Sequence, residues 1–465
     1  MAKFLFIGGT ASHSGKSWMT AAVCRHLKRR GLRVAPFKAQ NMSLNSYPCV
    51  EGGEIGRAQA AQAEACGLPP SRDMNPILLK PNCDSSSQVV VNGKVWRNLP
   101  AREYYTHFDF LLGEVMAAIG RLSKQYEAIV IEGAGSVSEI NFRGVDLVNL
   151  GLASRVDAPA LLVADIDRGG VFANICGTFD LLESRERSLV RSFAINRFRG
   201  DRSLFAGGVA FLENKTNRRC LGVFPYAAGI HLDEEDSVSF EARPGGGHSG
   251  VAILKFPRAS NLTDFNLLAG ATLVDRAINV KFRVVILPGS KNTLADLEWL
   301  RSRGLEQWLH CQHAAGARIL GVCGGYQMLG EFIEDPHGVE SGRGRAEGLG
   351  LLPVRTELET GKTTRVVQAR TPSGAPFSAY EIHMGRTARP SGAAPFAWIG
   401  DQPEGIRQDG VMGTYLHGAL ESAAVITEML DLPAPVPRDK EADYDRLADW
   451  FEASADMGLF EELYL

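Results

Sequence analysis

The sequence predicts an α/β protein of two domains, the first of them a doubly wound parallel sheet. Three observations carry that expectation. Short runs that are apolar almost throughout alternate with amphipathic stretches, as in parallel sheets covered by helices on both faces. Many of the 50 glycines fall in turns between those runs. One polar, glycine-rich stretch, EARPGGGHSG at 241–250, interrupts the alternation, and a second series of apolar runs follows it. At 465 residues the chain is also too long for one ordinary core.

In the first series the candidate strands are KFLFIGG (3–9), RVAPFKA (33–39), EAIVIEG (127–133), PALLVADI (159–166), SFAINRF (192–198) and LGVFPY (221–226). Helical patterns over 17–30 and 105–125 lie between them. Repeated β-α-β units imply right-handed crossovers within one sheet. This domain is assigned to 1–240 and the linker to 241–250. The second series runs VAILKF (251–256), VVILPGS (284–290) and ARILGV (317–322), then leads to GTYLHG (413–418). It is assigned to 251–440. The Pro-rich DLPAPVPRD (431–439) precedes a charged helical extension over 441–465.

Composition narrows the partners. Hydrophobic residues make up 45% and charged residues 22%, the balance of a globular protein in water. Lys+Arg number 50 against Asp+Glu 53, and the net charge of -3 gives no electrostatic attraction for nucleic acid or an anionic membrane. No apolar run approaches the ~20 residues of a membrane span. The 8 cysteines include no C-x-x-C pair, so neither a zinc site nor a disulfide framework is expected. The first residues enter a strand at once with no small-residue cleavage site, so the expected home is the cytoplasm.

The first motif with chemistry is GGTASHSGKS at 8–17. A strand ends, a Gly-rich loop turns, and GKS opens a helix. The N–H groups of such a P-loop and the helix N-terminus cradle a di- or triphosphate. Lys16 is placed to reach the outer phosphates and Ser17 to hold Mg²⁺. Gly15 is the second glycine of the pattern. Thr10 stands where the first is usual, with Gly9 one step earlier, and Thr10 and Ser12 add hydroxyls beside the phosphates. A Mg²⁺–ATP site also needs acidic oxygens at strand ends. Glu132 ranks first, since buried apolar residues precede it and GAG follows. Glu54 in EGGEIGRAQ, Asp146 in RGVDLVNLG, and Asp165 and Asp167 in VADIDRGG are further candidates. Asn196 in NRFRGD carries a donor and an acceptor that suit an adenine edge, or it caps a loop.

The second motif is GVCGGYQMLG at 321–330. In a nucleophile elbow the reactive side chain sits on a strained strand-to-helix turn, and small neighbours let the backbone close. N–H groups after the nucleophile face the developing oxyanion, and a helix N-terminus favours a thiolate. Cys323 is the candidate nucleophile. LPGS at 287–290 ends an earlier strand, so Gly289 and Ser290 are expected to join Gly324 as oxyanion donors. His417 in GTYLHG is the expected proton-transfer partner, with His383 in YEIHMG as rival.

On these residues the second domain resembles a class I, triad-type glutamine amidotransferase. GVCGGYQMLG is similar to that family's elbow and GTYLHG to its histidine motif. The family's usual glutamate two residues after the histidine is Ala419 here. The cobalamin-pathway branch is similar in lacking it. In the first domain APFKAQNMSLNS, GGEIGRAQAAQA, MNPILLKP, IEGAGS, ADIDRGGVFA and INRFRGD occur in the order of the cobyric acid synthase family, and the resemblance covers most of the chain.

That resemblance implies a P-loop, dethiobiotin synthetase-like amidoligase domain joined to a glutaminase. It implies ATP- and glutamine-dependent amidation of the b, d, e and g carboxylates of adenosylcobyrinic acid a,c-diamide, through acyl phosphates and with Mg²⁺. The corrinoid is large, flat and rich in carboxylates, so its site is expected to be open, basic and amide-rich. Lys38, Asn41, Asp146 and Arg168 are the candidates for it. Two other readings stay open. Cobyrinic acid a,c-diamide synthase shares the two-domain plan. A P-loop switch ATPase would use the first site alone, although the early signature lysine of the partition ATPases is Ala11 here.

Overall fold

The computed structural model describes all residues except 1, 84, 228, 234–249, 269, 341–343 and 437. Apart from Gly250, the linker expected at 241–250 therefore lies outside the described residues.

The first domain is built on six strands: β1 (Lys3–Gly9), β2 (Val34–Phe37), β3 (Ala128–Glu132), β4 (Ala160–Asp165), β5 (Val190–Phe198) and β6 (Arg219–Pro225). Their order is β6-β5-β4-β1-β3-β2, and every neighbouring pair is parallel. From β1 the chain adds β2 and β3 on one side and β4 to β6 on the other. The C-terminal end of β1 therefore lies beside the switch point, where open α/β sheets bind ligands. Helix α1 (Lys16–Arg29) starts there and covers one face of the sheet with Met19, Val23 and Leu27. Leu111, Val115 and Ile119 of the helix Phe108–Leu122 cover the other face. A four-stranded sheet over 40–100 and helix α2 (Arg57–Ala65) complete the domain. The sequence reading has no strand in that small sheet.

The second domain repeats the logic with β7 (Val251–Leu254), β8 (Thr272–Val274), β9 (Val284–Leu287), β10 (Arg318–Val322), β11 (Ile406–Gln408) and β12 (Val411–Thr414). The order is β8-β7-β9-β10-β12-β11, parallel except for the edge pair β11 and β12. Helix α3 (Gly324–Leu329) follows β10 directly. A long antiparallel hairpin, Arg355–Arg370 with Pro376–Ala388, builds a second sheet beside it.

The C-terminal helices α4 (Lys440–Glu452) and α5 (Met457–Tyr464) return to the first domain. Phe451, Phe460 and Tyr464 share one core with Leu5, Met19, Leu27 and Phe224. The stretch read as an extension at 441–465 is thus a wall of the first domain, because its apolar face is buried on α1. Among the described residues, no helix is long and apolar enough to cross a membrane.

Candidate active sites

The P-loop connects β1 to α1, with Gly15 at φ 95°. Ser17 Oγ donates to Glu132 Oε1 at 2.9 Å, and Lys38 Nζ reaches the same oxygen at 3.0 Å. Gln62 of α2 donates to the other carboxylate oxygen at 2.5 Å. Burial alone would push the Glu132 carboxyl up, but Lys38, Gln62 and Lys16 hold it below the usual carboxylate range. Lys16 Nζ folds over the loop, 3.0 Å from the Ala11 carbonyl and 2.9 Å from that of Gly135. Ser12 is exposed beside it. The hydroxyls of Thr10 and Ser14 are buried without a hydrogen-bond partner, which fits a cradle whose polar lining is completed by phosphate oxygens. Ser17 and Glu132 together fit Mg²⁺, which takes few protein oxygens and completes its shell with phosphates and water.

The structure gives the other residues singled out in the sequence specific partners. Asn196 lies against the P-loop itself. Its amide donates to the Ser14 carbonyl at 3.0 Å and its oxygen accepts the Arg197 N–H at 2.8 Å, so donor and acceptor are both used to brace the P-loop. The Asp146 carboxylate accepts N–H bonds from Val148, Asn149 and Gly151 at 2.8–2.9 Å at the start of the helix Leu150–Val156, so it holds its own loop. Asn41 is buried and donates to Gln59 at 2.8 Å. Lys38 is committed to Glu132 instead of an open surface. Arg168 is exposed, beside the Asp167–Arg199 pair. Glu54 is not at the phosphate cradle. It is clamped between Lys80, 2.6 Å away, and Lys362 of the second domain, whose charges hold its carboxyl well below the usual range despite burial.

At the end of β10, Cys323 stands at φ 51°, ψ −109°, a conformation that costs a side-chain-bearing residue about 1–3 kcal/mol. Packing around the turn enforces it. A Cβ on Gly321 would lie 2.6 Å from the Gly325 backbone, and one on Gly325 would strike the Leu287 carbonyl. The Cys323 N–H donates to the Thr414 carbonyl at 2.8 Å, tying the elbow to β12. Gly324 packs on Ser290, since a Cβ there would be 2.8 Å from the Ser290 nitrogen. Gly289 faces the His417 ring, 3.1 Å from a Cβ position to Cε1. The Ser290 hydroxyl is used by Asp296 at 2.6 Å, which leaves its backbone N–H as the group offered beside Gly324.

His417, not His383, meets this cluster. The His383 ring stacks on Tyr415 at 3.9 Å, with Nδ1 2.7 Å from the Gly385 carbonyl. His417 is buried near the Cys323 elbow, where the thiol itself donates to the Ile382 carbonyl at 3.6 Å. Its Nδ1 lies 2.6 Å from Asp264 Oδ2. The second Asp264 oxygen accepts the Gly418 N–H at 2.9 Å and the Tyr380 hydroxyl at 3.4 Å. Burial opposes a charged imidazole, but Asp264 and then Cys323 outweigh it and raise the His417 pKa to about 10. Asp264 went unread in the sequence. Its one signal was position, since an acid in the loop after β7 lies at the same sheet edge as Cys323 and His417.

Known proteins align with both halves. The family model for the CobQ/CobB/MinD/ParA nucleotide binding domain matches residues 5–239, and that for the CobB/CobQ-like glutamine amidotransferase domain matches 250–425. Cobyric acid synthase of Dehalococcoides mccartyi is 44% identical over 98% of this chain and 97% of its own. Cobyric acid synthase of Sorangium cellulosum is 43% identical over 99% and 98% respectively.

Proposed function

The chain belongs to the cobyric acid synthase family of glutamine-hydrolysing ligases, and from that premise we propose that it amidates the b, d, e and g carboxylates of adenosylcobyrinic acid a,c-diamide to give adenosylcobyric acid. Glutamine supplies the nitrogen and ATP the activation. The observation that carries the proposal is the Asp264–His417 pair beside the Cys323 elbow on one domain, together with a phosphate cradle on the other.

A carboxylate is a poor electrophile. Transfer of the ATP γ-phosphoryl to it releases ADP and gives an acyl phosphate. Ammonia then attacks the acyl carbon and phosphate departs. Lys16 and the loop N–H groups stabilise the charge in transfer. Ser17 and Glu132 would hold Mg²⁺, which neutralises phosphate charge when bound.

In the second domain the Cys323 sulfur attacks the glutamine amide carbon as a thiolate, its charge balanced by the His417 imidazolium. The N–H groups of Ser290 and Gly324 receive the oxyanion. The His417 imidazolium gives its proton to the departing ammonia, and water then cleaves the thioester to glutamate, returning a proton to His417. Asp264 holds the imidazole tautomer that presents Nε2 to the sulfur.

Mass spectrometry of the product, with the a,c-diamide acid, ATP and either glutamine or ammonium, tests this reading. Four new amides are expected. Product formed only from unamidated cobyrinic acid, with two amides, identifies the a,c-diamide synthase reaction instead. ATP hydrolysis with no amide leaves the switch ATPase. Cys323→Ala is expected to lose amidation with glutamine and keep it with ammonium.

A further inference from the structure

Asp264 rides on a short turn, Leu262–Phe265, and the first domain reaches that turn from three sides. Before it, Asn261 holds a left-handed backbone at φ 54° and its Oδ1 accepts the Ser46 N–H at 3.0 Å, fully buried. Ser46 begins a first-domain hairpin, Ser46–Pro48 with Glu54–Gly56. Its hydroxyl donates to Glu54 at 2.7 Å and accepts from Lys80 at 2.7 Å, so the N–H donor is itself held rigid. After the turn, Asn266 donates to Asp233 at 3.0 Å, and Asp233 pairs with Arg57, the first residue of α2. On the third side the Tyr47 ring lies 4.8 Å from that of Tyr380. Tyr380 in turn donates to Asp264 and stacks on His417 at 5.4 Å.

We propose that Asn261 is a positioning residue through which the first-domain hairpin sets the glutaminase: the Ser46 N–H fixes Asn261, and the turn that follows fixes the carboxylate that orients His417. The role presupposes the Cys323–His417 glutaminase proposed above. The same segment continues into α2, whose Gln62 holds Glu132 in the phosphate site. One stretch of chain, 46–62, therefore touches the glutaminase turn at one end and the nucleotide site at the other. Glutamine hydrolysis in this arrangement needs the two domains docked, so ammonia is released only beside its acceptor.

Three variants of the full chain test it. Asn261→Gly keeps the left-handed backbone without strain and removes the acceptor. Asn261→Asp keeps both, since aspartate also tolerates that backbone. Cys323→Ala reports on the underlying glutaminase. Asn261→Gly is expected to lower kcat for glutamine hydrolysis about fivefold to thirtyfold, the effect of one mispositioned hydrogen bond, with KM within about twofold. The ratio of glutamine-driven to ammonium-driven amidation falls by the same factor. Asn261→Asp is expected to restore kcat. Wild-type kcat in Asn261→Gly, or an equal loss in Asn261→Asp, overturns the proposal. Glutamine hydrolysis surviving in Cys323→Ala overturns the glutaminase reading instead.

Discussion

The Nδ1 of His417 and the Oδ2 of Asp264 lie 2.6 Å apart, both side chains buried, at positions 153 apart in the sequence. A carboxylate there accepts the Nδ1–H and leaves Nε2 for the proton transfer proposed beside Cys323. An amide donates to Nδ1 and selects the wrong tautomer. Asp264→Asn is therefore expected to lower kcat for glutamine hydrolysis by about 10²–10⁴-fold, as in other carboxylate–histidine pairs. Ammonium-driven amidation is expected to continue. A loss under about threefold in steady-state assays would remove Asp264 from the mechanism.

The same pair sets a pH dependence. His417 is raised from 6.5 to about 10, burial being outweighed by Asp264 and Cys323. The imidazolium proposed as proton donor to the leaving ammonia thus persists well above neutrality. The alkaline limb of glutamine hydrolysis is expected near pH 10, and Asp264→Asn moves it down, since burial remains and the main attraction goes. The stability sign follows. A folded pKa above the unfolded one adds stability that is complete below about 6.5 and is lost as pH rises through about 10. Melting curves of wild type and Asp264→Asn are expected to converge at the alkaline end.

What could be read in the sequence follows from how local each requirement is. Strands β1 to β5, β7, β9 and β10 are largely buried and wrote themselves as apolar runs, as did the half-buried edge strand β6. The hairpin strand Arg355–Arg370 has one exposed face and a polar middle, so it left no such run. The Cys323 elbow needs small residues at its own neighbours, which a short motif displays. The carboxylate for His417 comes from another loop, delivered by topology. Charged residues misled for the same reason. Lys38 meets Glu132 from 94 positions away, and Glu54 meets Lys362 from 308. Nothing beside either residue distinguishes a solvated charge from a buried pair.

Glu132 receives Ser17, Lys38 and Gln62 on its two oxygens. Glu132→Gln keeps the volume but removes the charge that balances Lys38 and suits Mg²⁺. Amidation is expected to fall about 10²-fold or more with either nitrogen source. Lys16→Ala has the same expected outcome. Both variants are expected to retain glutamine hydrolysis, because they leave in place the Ser46–Asn261 bond that holds the Asp264 turn. Amidation by Glu132→Gln at the wild-type rate with saturating ATP would exclude it from the phosphate site.

The C-terminal helices hold the first domain through apolar contact more than through charge. Phe460 is fully buried against Phe451, Tyr464 and His26. Phe460→Ala is expected to cost about 3–5 kcal/mol. Glu441 pairs with Arg25 at 2.9 Å but is itself largely exposed, so Glu441→Ala is expected to cost under about 1 kcal/mol. Denaturation followed by tryptophan fluorescence separates them. Equal effects would mean that the ion pairs, and not the aromatic core, secure α4 and α5.

The elbow yields the last prediction. A Cβ on Gly325 would strike the Leu287 carbonyl on β9 and approach the Leu287 side chain at 2.8 Å. Backbone cannot rotate away as a flexible side chain can, so α3 and β9 must separate. Overpacking of this kind costs about 1–3 kcal/mol. Its chemical effect is expected to be larger than its effect on stability. β9 leads directly into Gly289 and Ser290, and moving it withdraws the Ser290 N–H from the oxyanion position. Losing one such donor costs about 10²–10³-fold in kcat. Gly325→Ala is thus expected to hydrolyse glutamine about 10²-fold more slowly while still amidating with ammonium. Gly361→Ala, on the long hairpin with nothing within 4 Å of its Cβ position, serves as the control and is expected to behave as wild type. If Gly325→Ala lost ammonium-driven amidation in step with glutamine hydrolysis, its damage would be global, and the oxyanion assignment would gain no support from it.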